Sequence, residues 1–257
     1  IMPRAKKNNN LKNFVQSFLS IFNLELRRKN NFEKRYFDSI AEISENEFKI
    51  LNEISEYALS SRANQWSIIQ SLKYIKNKNI NGDIVECGVY KGGSLLLILK
   101  ILKLLDLNKK VYGYDTFEFG FDKLSDYDTD IKGNKVEKLR FDKNFFPTKN
   151  QVINILLKFN IDETLLPNLI EGKTQDTLDL SKNVPDKISF LRLDTDIYEP
   201  TIDQLNKLYP LLSVGGILHI DDYGHCPGVK KAIDEYFFNK KIWLHRIDYT
   251  CRLLIKE

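Results

Sequence analysis

The sequence predicts an α/β protein, a mostly parallel sheet with helices on both faces, and three observations predict it. Apolar runs of strand length alternate with longer helical runs through the second half of the chain. The first strand candidate ends in a glycine-rich turn that opens straight into a helix, Gly-Asp-Ile-Val-Glu-Cys-Gly-Val-Tyr-Lys-Gly-Gly-Ser at residues 82 to 94. Two later strand candidates end in carboxylates, Asp194 and the pair Asp221 and Asp222.

Taken in order, residues 41 to 60 and 62 to 77 read as helices, the second carrying Ile68, Ile69, Leu72 and Ile75 on one stripe. Strands are predicted at 84 to 88, 111 to 114, 168 to 171, 188 to 194 and 216 to 220. Helices are predicted at 94 to 105, 149 to 160, 200 to 209 and 227 to 238. Ile242 to Ile247 and Cys251 to Ile255, joined by Asp248, Tyr249 and Thr250, predict a closing hairpin and an antiparallel strand at one sheet edge. Residues 116 to 148 break the alternation. They hold Phe117, Phe119, Phe121, Tyr127, Phe141, Phe145 and Phe146 and follow the C-terminal end of the second strand, where such sheets bind ligands. We read them as a substrate lid, the alternative being a surface insertion.

A chain of 257 residues with 42 % hydrophobic content is long enough for one large core. The expected organisation is an N-terminal extension, 1 to 40, and a catalytic domain, 41 to 257. Residues 1 to 36 hold nine Lys and Arg against two acids, so the overall charge of +4 describes the extension and the rest is slightly acidic. Phe14, Val15, Phe18, Leu19, Ile21, Phe22 and Leu26 recur there at near-helical spacing with basic flanks. That helix is expected to pack on the domain or on a second subunit of a homo-oligomer. Peripheral membrane contact through residues 1 to 36 is the alternative, and nucleic acid is not an expected partner. Cys87, Cys226 and Cys251 are odd in number and lack C-x-x-C spacing, which argues against a disulfide framework or a thiolate zinc site and for a cytoplasmic protein. No apolar run approaches the roughly 20 residues that span a bilayer, and no signal-peptide pattern is present.

Glycines 88, 92 and 93 allow close backbone approach and leave N–H groups aimed at a ligand from the helix start. With Tyr90 in place of the second glycine of G-x-G-x-x-G and Glu86 just before the turn, the pattern disfavours a dinucleotide, and with it a nicotinamide dehydrogenase. A cationic headgroup suits Glu86 better. Asp115 ends the next strand about 20 residues on, the usual reach to a ribose diol, and is expected to accept two hydroxyl hydrogen bonds; capping the next turn is its bland alternative.

Asp194 and the Asp221, Asp222 pair are expected side by side on adjacent strand ends. Like charges within ~5 Å repel by several kcal/mol at an intermediate dielectric, so the trio calls for a cation. All-oxygen ligation favours Mg2+ or Mn2+, and helix capping is the alternative for either member of the pair. Asp196 ranks below the three. His219 reads as a core residue, His225 as a candidate proton acceptor together with Asp194, and Lys143 as another candidate base.

These motifs together resemble the macrocin O-methyltransferase (TylF-type) family of class I S-adenosylmethionine-dependent enzymes over about residues 55 to 257. Glu86-Cys-Gly-Val-Tyr-Lys-Gly-Gly looks like the family's cofactor turn, implying cofactor contacts from Glu86, Cys87, Gly88, Tyr90, Gly93 and the following Ser94. Asp115-Thr-Phe-Glu looks like its ribose-binding segment, implying Asp115, Thr116 and Phe117. Glu171-Gly-Lys-Thr-Gln-Asp-Thr looks like the segment bordering the adenine, implying Gly172 and Asp176. Leu191-Arg-Leu-Asp-Thr-Asp-Ile-Tyr-Glu-Pro-Thr and Gly-Gly-Ile-Leu-His-Ile-Asp-Asp-Tyr-Gly are the best matches, and by resemblance Asp194, Asp221 and Asp222 bind Mg2+. The resemblance implies a Rossmann-like seven-stranded sheet with its last strand antiparallel, and methylation of a sugar hydroxyl, as on antibiotic deoxysugars. The family's lid histidine is absent here. A catechol-type acceptor and a non-catalytic cofactor-fold docking protein are the alternative functions.

Overall fold

A computed structural model describes residues 40 to 117, 124 to 130, 132 to 135 and 146 to 257. The chain divides into a unit of residues 1 to 42 and a unit of Ile43 to Glu257. The helix expected over residues 14 to 26, and with it the packing, oligomer and membrane expectations, lies outside the described residues. So do Lys143 and most of the aromatic residues between 118 and 145.

Seven strands form one sheet. They are β1 Asp83–Cys87, β2 Val111–Asp115, β3 Asn168–Glu171, β4 Ile188–Leu193, β5 Leu212–Ile220, β6 His245–Arg246 and β7 Arg252–Ile255, in the order β3-β2-β1-β4-β5-β7-β6. The first five pair parallel, β7 runs antiparallel to β5, and β6 closes the edge as the predicted hairpin. Strand order reverses at β1 and β4, so the crevice beyond their carboxyl ends is the place where a sheet of this topology holds a ligand.

Helices follow the predicted sequence of elements: α1 Glu45–Glu53, α2 Arg62–Asn77, α3 Gly93–Leu104, α4 Lys149–Lys158, α5 Thr174–Thr177, α6 Tyr198–Leu208 and α7 Pro227–Tyr236. The helix expected over 41 to 60 stops at Glu53, and its start is set by a reciprocal capping box between Ser44 and Glu47. The four-residue α5 was not anticipated. β5 begins four residues before the predicted 216, because Gly215 adopts φ +77 and lets the strand continue through a register slip against β4 between Ile188 and Phe190. Among the described residues no helix is long and apolar enough to cross a membrane.

The two faces of the sheet differ. Val85, Cys87, Leu191, Leu193, Leu218 and Ile220 pack with Leu205 and Leu208 of α6 and Val229 and Ile233 of α7 in a dry core. On the opposite face, register aligns Glu86 of β1, Arg192 of β4 and His219 of β5 in one row. All three are fully or almost fully buried. Polar groups from α2 meet the row: Ser67 lies 2.9 Å from His219 Nε2, and Asn64 reaches the end of β5. Burial, and Arg192 beside it, push the His219 imidazole down to about 3, so it is a neutral core residue as the sequence implied.

Candidate functional site

The site is assembled at the tips of β1, β2, β4 and β5. The Asp194 N–H donates to the Cys87 carbonyl at 2.8 Å and the Asp221 N–H to the Leu193 carbonyl at 2.9 Å, so the ladder continues one residue past each strand and sets the acids abreast. Asp194, Asp221 and Asp222 each offer an oxygen within 4.8 Å of the others. The sequence-predicted trio therefore does converge. Asp196, ranked below them, joins Asp222 and Cys226 in a neighbouring group, and both Asp196 and Asp222 take left-handed backbone conformations, at φ 61 and φ 21.

Crowding shows in the proton affinities. Burial, with Asp221 and Asp222 adding to it, holds the Asp194 carboxyl well above the usual carboxylate range, although Arg192 pulls it the other way. Asp222 is raised by burial and then by Asp196 and Asp221. Asp196 is pushed up to about 6 by desolvation and by Asp194. An all-carboxylate donor set with this excess of negative charge fits a hard divalent cation such as Mg2+ or Mn2+.

Arg192 is the functional residue that sequence reasoning missed. The residue is 1 % exposed, and Nη1 donates to Glu86 Oε1 at 2.8 Å and to Asp194 Oδ2 at 2.6 Å, while Nη2 donates to Asp221 Oδ2. The available signal was a single charged residue inside a mostly apolar strand, Ile188–Leu193. Glu86 consequently faces Arg192, where the sequence reading had it facing a cationic ligand. Its second oxygen is buried without a partner, and desolvation, partly offset by Arg192, pushes the carboxyl up to about 8. Asp221 is held from several sides: Asn64 Nδ2 donates to Oδ1 at 2.9 Å, and the Thr250 hydroxyl and the Asp222 N–H donate to the same oxygen at 3.3 Å.

Asp115 organises the glycine turn. Its Oδ2 accepts the N–H groups of Val89 at 2.7 Å and Tyr90 at 3.0 Å, and its Oδ1 accepts that of Phe117 at 2.9 Å. A carboxylate offers about four acceptor positions, so one remains for a ligand hydroxyl in this conformation, against the two expected. Tyr90 and Phe117 both take positive φ, at 48 and 51, bent around that carboxylate. Gly172, at φ +128, donates its N–H to the Asp115 carbonyl and ties the β3 tip to the β2 tip.

The glycines of the turn have partners of their own. A Cβ on Gly88 would stand 1.8 Å from the Asp194 carbonyl oxygen, and one on Gly93 would stand 2.4 Å from the Tyr57 carbonyl oxygen. Close approach at these two positions is by the protein's own backbone, whereas the sequence suggested a ligand; Gly88, at φ +90, and Gly92, the left-handed N-cap of α3, also give the turn its positive φ. Cys87 is buried in the core with its carbonyl taken by Asp194. Ser94 is half-buried in the first turn of α3, Thr116 half-buried past β2, and Asp176 exposed on α5.

His225 is exposed, with Nδ1 3.4 Å from the Tyr249 hydroxyl and its ring edge-on to Tyr249. The described part of the expected lid is docked. Asp128, 2 % exposed, accepts from the Ser125 N–H and hydroxyl and, at 2.8 Å, from the Tyr198 N–H that opens α6. It sits so close to α7 that a Cβ on Gly228 would lie 2.0 Å from its Oδ1. This segment is thus pinned to the two helices that follow the acid-bearing strands.

Comparisons with known proteins bear on the family and the fold. The family model described as Macrocin-O-methyltransferase (TylF) matches residues 56–256. Demethyldecarbamoylnovobiocin O-methyltransferase of Streptomyces niveus is 33 % identical over 172 residues, 66 % of this chain and 63 % of that protein. The 8-demethyl-8-(2,3-dimethoxy-alpha-L-rhamnosyl)-tetracenomycin-C 4'-O-methyltransferase of Streptomyces olivaceus is 29 % identical over 161 residues, 61 % of this chain and 58 % of that protein. The chain thus spans about three fifths of the length of these relatives. Among solved structures, the O-methyltransferase NovP superposes with a TM-score of 0.68 at 28 % identity, covering 78 % of this chain and 82 % of that one. With a seven-stranded, mostly parallel Rossmann-like sheet and a family match running from residue 56 almost to its end, the chain belongs to the macrocin-O-methyltransferase (TylF) family.

Proposed function

We propose that this protein is an S-adenosylmethionine-dependent O-methyltransferase that methylates a hydroxyl of a sugar, with Mg2+ bound by Asp194, Asp221 and Asp222. The observation that carries the reading is the convergence of those three carboxylates, within 4.8 Å of one another, beside the Asp115-clamped turn at the switch point of the sheet. Family membership supports the methyl donor, and the rhamnosyl group in the name of the Streptomyces olivaceus relative supports a sugar acceptor.

In this reading Asp115 and the Gly88 to Ser94 turn hold the cofactor, with Phe117 and the Gly172 turn beside them and Asp176 at the rim. The acceptor oxygen takes the methyl group, the carbon–sulfur bond breaks with its electron pair going to sulfur, and the hydroxyl proton passes to Asp194 or His225. A divalent cation held by Asp194, Asp221 and Asp222 would supply Lewis acidity to the acceptor hydroxyl. The buried Arg192 lies behind the three acids and contacts two of them, Asp194 and Asp221.

Incubation of the purified full chain with methyl-labelled S-adenosylmethionine, a panel of glycosides and nucleotide sugars, and catechol tests the reading by mass spectrometry. Transfer to a sugar hydroxyl is expected, lost with a chelator and restored by Mg2+. Asp221→Ala is expected to abolish turnover with cofactor affinity kept within a few-fold. Undiminished transfer in chelator overturns the metal assignment, and transfer to catechol alone overturns the sugar assignment.

A further inference from the structure

We propose that Arg192 is the positioning residue of the divalent-cation site: its guanidinium fork orients Asp194 and Asp221 for the ion and braces them against Glu86. The inference rests on the metal reading above and goes beyond its three ligands.

Three strands supply the argument. Glu86, Asp194 and Asp221 come from the ends of β1, β4 and β5, and one planar group contacts all of them, Nη1 bridging Glu86 and Asp194 and Nη2 reaching Asp221. The pairs to Glu86 and Asp221 are buried, with side-chain exposures of 2 % for Arg192, 0 % for Glu86 and 9 % for Asp221, while Asp194 keeps 27 % of its side chain exposed toward the site. A guanidinium offers this fixed fork and an ammonium does not. Arg192 holds Asp194 through Oδ2. The opposite oxygen of Asp221 is steadied by Asn64 and Thr250.

Charge and positioning predict opposite signs, which makes the inference testable. Removing a positive charge next to an anionic cluster strengthens attraction for a cation, whereas losing the brace lets Asp194 and Asp221 turn away. Outer-shell partners of metal ligands are typically worth 10- to 100-fold in affinity.

The experiment is Mn2+ titration followed by electron paramagnetic resonance on the wild-type chain, Arg192→Gln and Arg192→Lys, with circular dichroism to select folded protein. Mn2+ binding at least about 10-fold weaker in Arg192→Gln is expected, with Arg192→Lys also weakened although its charge is retained. Equal or tighter binding in Arg192→Gln overturns the inference, as does full rescue by lysine, which would reduce Arg192 to a counter-charge. Where neither variant folds, nitrogen-15 spectra of the wild-type guanidinium decide: a shift of the Arg192 Nε–H signal on Mg2+ addition supports the brace, and an unmoved signal overturns it. Failure of the wild-type chain to bind Mn2+ is a separate outcome, overturning the metal reading and this inference together.

Discussion

Glu86 of β1 and Arg192 of β4 stand opposite each other in the parallel ladder and join side chains at 2.8 Å, a guanidinium–carboxyl contact buried within the sheet. The pair costs desolvation on both sides, and Glu86 keeps one oxygen unpartnered. It links the strand that leads into the cofactor turn to the strand that carries the first of the acid trio.

Glu86 gives stability a pH signature. Desolvation raises its folded-state carboxyl to about 8 from the ordinary 4.5 of a glutamate, so between those limits the folded chain holds a proton that the unfolded chain has released. Stability from this group is therefore fully present below about 4.5 and is lost as pH rises through about 8. Urea denaturation of the metal-free wild type and Glu86→Gln is expected to show the wild type losing ground to the variant across that window, with a slope on the order of 1 kcal/mol per pH unit. A pH-independent difference would contradict it.

Gly88→Ala forces a methyl group into the Asp194 carbonyl at a backbone φ of +90. Neither backbone can give way without opening the ladder between β1 and β4, so a loss on the order of 4 kcal/mol or more is expected in equilibrium denaturation. The same variant is expected to lose Mn2+ binding, because Asp194 moves with its carbonyl.

Asp115→Asn replaces one accepting oxygen with a donor facing backbone N–H groups. Loss of stability of about 1–3 kcal/mol is expected, from amides left unpaired beneath the turn. Affinity for S-adenosylmethionine in calorimetric titration is expected to fall by more than about 10-fold, which a 1.4 kcal/mol loss of binding energy would produce.

Asp128 caps α6 from a segment 70 residues away in sequence. Asp128→Ala is expected to cost about 1–2 kcal/mol in thermal or chemical denaturation, and Asp128→Asn a smaller fraction, since asparagine caps nearly as well. Proteolysis between residues 124 and 130 is expected to quicken in the alanine variant, because this cap anchors that segment to α6.

Element types and their order were legible in the sequence because local patterns decide them. A parallel strand buried on both faces reads as a continuous apolar run, and Asp194, Asp221 and Asp222 stand out because each ends one. Asp115 was legible for the same reason, as an acid closing Val111 to Tyr114. The hairpin was visible in a three-residue polar break between two apolar segments. The length of β5 was not, since Gly215 and Gly216 look like a turn until the neighbouring strand holds them in the ladder.

What only tertiary structure decided is which groups spend their charge and space on one another. Gly88 and Gly93 read as room for a ligand in one dimension and are room for the carbonyls of Asp194 and Tyr57 in three. Glu86, Arg192 and His219 are more than a hundred residues apart at their extremes, and only strand register sets them in a row on one face. The sequence by itself determined the alternation of strands and helices and the acids at the strand tips, because burial periodicity and chain reversal act over a few residues. Pairing of Glu86 with Arg192, and the consumption of three of the acceptor positions of Asp115 by its own turn, depended on long-range packing, because a charge in a low-dielectric interior takes whichever partner the folded sheet places beside it.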